Sequence, residues 1–429
     1  MHPRAFSASM AQVEITAMTF GRFGVGRLDG RAVMVPNAAP GDLLEVAITQ
    51  ERAGYLVAHV ERVLKPGPAR RMPPCPYLPR CGGCDWQQIS YPEQARFKAE
   101  VIAATLHRAL HLELDTITLI EPAPAEFGYR ARIRFKTGPG GRLGFYEAGS
   151  RRLVEVEHCM VAAAEIRMPR EFAAEIECEE IEVVTDRGRE VLVAHLARPP
   201  AAAMLGRARR LVEGDARIAG AVLRGARTRE VIGEVSIAIA LEPGLELEVD
   251  ADLFSQVNRA QNLKLIATVM EMVGVGADTR MLDLFCGAGN FSLPAARRGA
   301  EVMGVDADAL AVAAAARNAA RLGLRRAEFA AMEAAELARF LMRARYRPDV
   351  VIMDPPHSGA RELIEPLLRM RAARVIYVSC DVATLARDLR ALCAGGYRIA
   401  ALRAFDFFPN THHSEVVAQA VLTSAATHS

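Results

Sequence analysis

Five short apolar runs in the last third of the chain, each followed by a helical stretch, constrain the fold more than any other feature. They are Met281-Leu-Asp-Leu-Phe285, Glu301-Val-Met-Gly-Val-Asp306, Ala327-Glu-Phe-Ala-Ala331, Asp349-Val-Val-Ile-Met-Asp354 and Arg374-Val-Ile-Tyr-Val-Ser-Cys380. Strand and helix alternating at this spacing predict a doubly wound parallel sheet of the α/β class. Two further runs, 398–408 and 416–422, are joined by a Pro/Asn/His loop with no room for a crossover helix. They are expected as an antiparallel pair at the sheet edge.

The chain has 429 residues, enough for two to four domains of roughly 100–200 residues each. With 51% hydrophobic and 24% charged residues it reads as folded rather than disordered. No run approaches a bilayer-spanning length, so no membrane association is expected. Met1 to Met10 lacks the apolar core of a secretory signal, which predicts a cytoplasmic protein; Met1 and Met10 both remain open as starts. Residues 8–65 carry short apolar runs separated by Gly turns and predict a small OB-like β-barrel. Residues 66–248 form a central α+β region that opens on a Pro-rich linker, and 249–429 hold the strand-helix series.

Net charge is 53 − 51 = +2, which neither favours nor excludes a polyanionic partner. The strictly alternating Tyr129-Arg-Ala-Arg-Ile-Arg-Phe-Lys136 predicts a strand with Ala131, Ile133 and Phe135 on one face. Arg130, Arg132, Arg134 and Lys136 then share the other face. Four like charges in a row repel unless water or an anion compensates them, so an RNA-binding footprint is expected there.

Three motifs sit at predicted strand ends, where open α/β sheets bind ligands. Asp283-Leu-Phe-Cys-Gly-Ala-Gly-Asn-Phe291 lets the backbone approach a ligand, with Asp306 placed to meet ribose hydroxyls. The third Gly of a dinucleotide fingerprint is absent, so S-adenosylmethionine suits the turn better than NAD. Asp354-Pro-Pro-His-Ser-Gly359 and Ser379-Cys380-Asp381 follow. Cys380 reads as a core thiol or, at a strand end facing the crevice, as a nucleophile. Glu415 admits structural, capping or general-base roles, and His412-His413 has no third metal ligand nearby. Cys75, Cys81 and Cys84 cluster, with Cys159 distant; four thiolates suit zinc or an iron–sulfur cluster equally. Cys178, Cys286 and Cys393 read as core residues.

Taken together, Phe254-x-Gln256-x-Asn258, the Asp283 turn, Asp-Pro-Pro, Ser-Cys and His-x-Glu resemble the RNA uridine-5-methyltransferase family, across 254–422. The cysteine pattern and the barrel resemble the 4Fe-4S signature and TRAM domain of its ribosomal-RNA branch. The resemblance implies a class I methyltransferase fold with a seven-stranded, Rossmann-like sheet, S-adenosylmethionine as methyl donor, and RNA, foremost 23S rRNA, as the partner of a monomer. It implies Cys380 as nucleophile and Glu415 as the base that removes the C5 proton. Gln256, Phe285, Gly287, Asn290, Asp306, Glu333 and Asp354 would line the cofactor and substrate site. Cys75, Cys81, Cys84 and Cys159 would hold a 4Fe-4S cluster, with zinc as the alternative. Asp381-Val382 and His357 depart from the family's usual Asn-Pro and Arg. Cytosine or tRNA uridine as substrate, and an RNA-binding protein with a degenerate catalytic domain, are the alternatives.

Overall fold

The computed structural model describes residues 9–111, 120–343 and 347–423. Residue 8, the expected start of the barrel, and the two candidate starts' intervening segment lie outside them. Five strands, β1 (Met10–Met18), β2 (Phe23–Leu28), β3 (Arg31–Pro36), β4 (Leu43–Arg52) and β5 (Tyr55–Lys65), close into a barrel of order β1-β2-β3-β5-β4. Alternate residues Val13, Ile15, Val33, Val35, Leu44 and Val46 fill it. Buried Asp42 ties the barrel to the linker by accepting the Gly67 N–H at 2.9 Å and the Arg70 Nε at 2.8 Å.

The linker leads to helix α1 (Tyr91–Leu110) and the two-residue strand β6 (Ile120–Glu121). A seven-stranded sheet follows, built from β7 (Arg132–Gly138), β8 (Arg142–Tyr146), β9 (Leu153–Glu155), β10 (Glu180–Asp186), β11 (Arg189–His195), β12 (Ile218–Arg224) and β13 (Arg229–Gly233). Helices α2 (Arg170–Ile176) and α3 (Ala202–Gly214) cover one face of it. The hairpin β14 (Ser236–Glu242) and β15 (Leu245–Asp250) packs its apolar face into the core of the last domain.

That domain begins with α4 (Arg259–Val273), which Asn258 caps by accepting the Gln261 N–H. Parallel strands β16 (Arg280–Leu284), β17 (Glu301–Asp306), β18 (Ala327–Ala331), β19 (Val350–Met353) and β20 (Arg374–Ser379) alternate with helices α5 (Ser292–Arg297), α6 (Ala309–Arg321), α7 (Ala334–Arg343) and α8 (Arg361–Met370). Helix α9 (Val382–Ala394) leads to β21 (Tyr397–Phe405) and β22 (Glu415–Leu422). The strand order is β18-β17-β16-β19-β20-β22-β21-β6, with β22 antiparallel to both neighbours. The chain reverses its winding between β16 and β19, the switch point where open sheets bind ligands.

Two features differ from the sequence reading. The sheet has eight strands, because β6 adds parallel to β21 beyond the seven expected. Helix α1 and β6 also belong with this sheet, although both lie inside the segment 66–248. Ile102, Leu106 and Ile120 are buried with Leu385, Leu389 and Leu402.

Lys98 of α1, fully buried, reaches across to Asp406 at 2.6 Å and to the Phe408 carbonyl at 3.1 Å. Burial lowers the lysine's affinity for its proton, and Asp406 opposes that effect. Removing one partner of a buried pair leaves the other charge uncompensated. Lys98→Met is expected to cost about 3–5 kcal/mol in urea unfolding, and Lys98→Met/Asp406→Leu to recover most of it. Equal losses in the single and double variants would contradict the pairing.

Candidate active site

Register brings the reactive side chains together. In the parallel pair β19–β20, Met353 lies opposite Tyr377; in the antiparallel pair β20–β22, Ser379 lies opposite Val416. Asp354, Cys380 and Glu415 therefore stand at three adjacent strand ends. Glu415 is buried, while Asp354 and Cys380 are half-buried. Burial, followed by the carboxylates of Glu415, Asp354 and Asp381, pushes the Cys380 thiol up to about 12. Burial and Asp354 hold the Glu415 carboxyl well above the usual carboxylate range. Burial raises Asp354 to about 7. An acidic, water-poor corner with one thiol in it is suited to proton transfer and to a cationic ligand.

A cavity opens beside this corner at the sheet's switch point. Gln256, Phe285, Gly287, Asn290 and Asp354 line it, with Phe254, 72% exposed, at its wall. Phe285 holds φ +63°, a left-handed conformation that bulky side chains avoid, as residues at functional turns do. Gly289 has φ +102°, and a Cβ there would meet the Leu293 side chain at 2.9 Å. Asp306 accepts the Gly287 N–H at 2.8 Å and the Asp308 N–H at 2.9 Å. Asn290 and Asn262 exchange hydrogen bonds of 2.9 and 3.1 Å. Beneath the turn, buried Asp283 accepts from Ser292 Oγ at 2.5 Å, and its other oxygen has no partner. Burial raises its carboxyl to about 7. Of these acids only Asp354 lines the cavity, with Asp306 held behind it on the Gly287 N–H and Asp283 beneath the turn; an acidic surround suits the sulfonium and ammonium charges of S-adenosylmethionine better than an anionic pyrophosphate. Glu333 stands exposed two residues beyond β18 and is not among the cavity's lining residues.

The loop from Asp406 to Ser414, which delivers Glu415, is bound on several sides. Asn410, fully buried with φ +69°, exchanges hydrogen bonds with Gln94, and its carbonyl accepts the N–H groups of Asp85 and Trp86. His412 Nδ1 lies 2.6 Å from Asp85 Oδ2. Tyr129 donates its hydroxyl to the Pro409 carbonyl at 3.1 Å. Asp85 directly follows Cys84, so the cysteine segment and the loop ahead of Glu415 share hydrogen bonds.

Cys75, Cys81, Cys84 and Cys159 line one cavity of about 220 Å³. Among the described residues, no three His, Cys, Asp or Glu side chains form a group that could hold a metal ion. Burial raises Cys81 to about 11 and Cys84 to about 12, so thiolates here require a cationic occupant. The four thiols share one cavity without forming such a group as they stand, and sulfur is the donor that soft metals favour.

The basic strand is not the open footprint expected of it. Glu180 and Glu182 on β10 lie opposite Lys136 and Arg134 in register. Lys136 bonds Glu180, Arg134 bonds Glu182, and Arg132 bonds Glu182 at 3.4 Å as well as the Leu253 carbonyl at 2.7 Å. The compensating anions are thus internal. Arg130 and Arg134 both line the cysteine cavity, and the Arg130 guanidinium lies 5.5 Å from the Phe408 ring. Sequence reasoning also passed over His357, whose Nδ1 is 3.2 Å from Cys380 Sγ, and the Asp85–His412 pair. His357 carried a signal in its departure from Arg; the pair, 327 residues apart, carried none.

Known proteins resemble this chain over nearly its whole length. The TRAM domain model matches residues 9–60, and the tRNA (Uracil-5-)-methyltransferase model matches 244–419. The 23S rRNA (uracil(1939)-C(5))-methyltransferases RlmD of Shewanella amazonensis and Salmonella typhimurium are each 34% identical, with 92% of both chains covered. An RNA methyltransferase of Thermosynechococcus vestitus is 30% identical over 95% of this chain and 97% of its own. The fold is similar to that of the Pyrococcus abyssi tRNA (uracil-54, C5)-methyltransferase solved with S-adenosyl-L-homocysteine, at TM-score 0.73 and 24% identity, covering 95% of this chain and all of that one. The chain belongs to the RNA (uracil-5-)-methyltransferase family, with a TRAM domain at its amino end.

Proposed function

We propose that this S-adenosylmethionine-dependent enzyme methylates carbon 5 of a uridine in 23S rRNA, with Cys380 as nucleophile and Glu415 as base. The observation that carries this reading is the apposition of those two side chains at neighbouring strand ends, beside the cavity lined by Gln256, Phe285, Asn290 and Asp354. Bound S-adenosylmethionine supplies an electrophilic methyl group. Carbon 5 of uracil is a weak nucleophile, and addition of the Cys380 sulfur to carbon 6 shifts electron density onto it. Once carbon 5 carries the methyl group, Glu415 takes its remaining hydrogen as a proton. The freed electron pair then expels sulfur from carbon 6 and restores the ring. The raised proton affinity of Glu415 suits that step, while a cation in the adjoining cavity favours its ionised form beforehand. A target held between sulfur and carboxylate has to leave its base stack.

The ribosomal assignment is supported by the RlmD relatives spanning nearly the whole chain, barrel included. Cys75, Cys81, Cys84 and Cys159 would hold a 4Fe-4S cluster; thiols that ring a cavity favour a cluster over a lone zinc ion. The contacts of the cysteine segment with the Asp406–Ser414 loop support a positioning role for such a cluster.

Glu415→Gln incubated with S-adenosylmethionine and a 23S rRNA transcript is expected to accumulate a protein–RNA adduct stable on a denaturing gel, and Cys380→Ala to form none and turn nothing over. An adduct with tRNA alone would move the substrate. Turnover by Cys380→Ala would overturn the mechanism. Protein purified without air is expected to be brown and to carry iron and sulfide, both lost in Cys84→Ser; zinc alone on elemental analysis would contradict the cluster.

A further inference from the structure

The corner that holds Cys380 opposes formation of its thiolate. The charged groups acting on the sulfur are Glu415 from β22, Asp354 from the end of β19 and Asp381 from the start of α9, all acidic. Each carboxylate, together with burial, favours the neutral thiol. Methyl transfer nevertheless begins with sulfur as the nucleophile, so the S–H proton needs an acceptor. Glu415 is committed to a different proton, that on carbon 5.

One basic side chain stands in contact with the sulfur. The turn after β19, Asp354-Pro-Pro-His357, brings the imidazole over the end of β20, with Nδ1 3.2 Å and Nε2 3.8 Å from Cys380 Sγ. The prolines stiffen the backbone before it. Arg387 of α9 bonds the Ser358 carbonyl at 3.0 Å and pins the backbone after it. His413 from the base-bearing loop faces the imidazole with ring centroids 6.2 Å apart, and His412 lies 4.0 Å behind His413. Burial and His412 lower His413 to about 4, which leaves it neutral at physiological pH. His357 itself is exposed to solvent.

We propose that His357 is a catalytic base paired with Cys380, accepting the thiol proton when sulfur attacks and returning it when sulfur leaves. In the first step the S–H bond breaks, an N–H bond forms on the imidazole, and the sulfur electron pair makes the bond to carbon 6. In the last step the S–C6 bond breaks and the imidazolium proton returns to sulfur. The carbon-5 proton goes separately to Glu415 and then to water, so the two protons of the cycle use two acceptors. Imidazole suits this exchange because it gains and loses a proton near neutral pH. The inference rests on Cys380 being the nucleophile.

The test reads Cys380 directly. Full-length protein without RNA is treated with iodoacetamide from mildly acid to alkaline pH, and modification of the Cys380 peptide is followed by mass spectrometry. Wild type is expected to react at neutral pH. His357→Gln, which keeps a polar side chain but no basic nitrogen, is expected to react about tenfold more slowly there and to recover only in alkali. Its kcat should fall by about 10²-fold with the KM for RNA unchanged. Added imidazole should restore both alkylation and turnover in His357→Ala. Overlapping alkylation profiles in wild type and His357→Gln, or no rescue by imidazole, would overturn the pairing. Loss of methylation in His357→Gln with alkylation unchanged would overturn it too. Activity retained by Cys380→Ala would instead sink the nucleophile assignment, an outcome the alkylation profile does not produce.

Discussion

The register between β20 and β22 is the constraint on which the site depends. Sequence separates residues 380 and 415 by a helix, a strand and a loop, yet pairing of Ser379 with Val416 sets them side by side. A slip of one residue would turn Glu415 to the opposite face of the sheet. Apolar burial resists that slip on both faces. Val416, Ala418 and Ala420 pack into the cluster beneath α8 and α9, and Val417 into the cluster beneath α4. The loop before β22 adds a polar lock, with Lys98 on Asp406, Gln94 on Asn410 and Asp85 on His412. These partners come from the cysteine segment and α1, so the region ahead of the catalytic sheet acts as a brace for its last strand.

The electrostatics of the corner run against stability. Asp283 and Asp354 keep their protons up to about 7, and burial with Asp354 raises the Glu415 carboxyl well above the usual carboxylate range. A carboxyl whose proton affinity rises on folding contributes stability that is complete below the ordinary carboxylate range. That contribution is lost as pH rises through the raised value. Burial is the main cause, so ionising these acids near neutrality costs stability, and a cation bound beside them would offset that cost.

Much of this was readable in the sequence, because local signals were strong. Apolar runs at β16 to β20 marked the sheet, and Asp-Pro-Pro and Ser-Cys marked strand ends, where side chains meet ligands. What escaped was set by pairing across long separations. The acids that neutralise Arg134 and Lys136 lie on β10, and nothing near residue 136 announces which strand will lie beside it. Helix α1 shows an apolar stripe but not the partner that covers it, so it was grouped with its neighbours in sequence rather than with α9. Strand β6 has two residues, too few for a periodicity to register. His357 looked like a departure from a pattern until the turn placed it on the sulfur.

If sulfur and carboxylate work on one pyrimidine ring, the hydrogen on carbon 5 is the atom whose fate reveals it. An rRNA transcript carrying tritium at carbon 5 of uridine, incubated with the enzyme and S-adenosylmethionine, should release one tritium to water for each methyl group gained. Methyl transfer with the tritium retained in RNA would place the reaction at another atom and contradict the account.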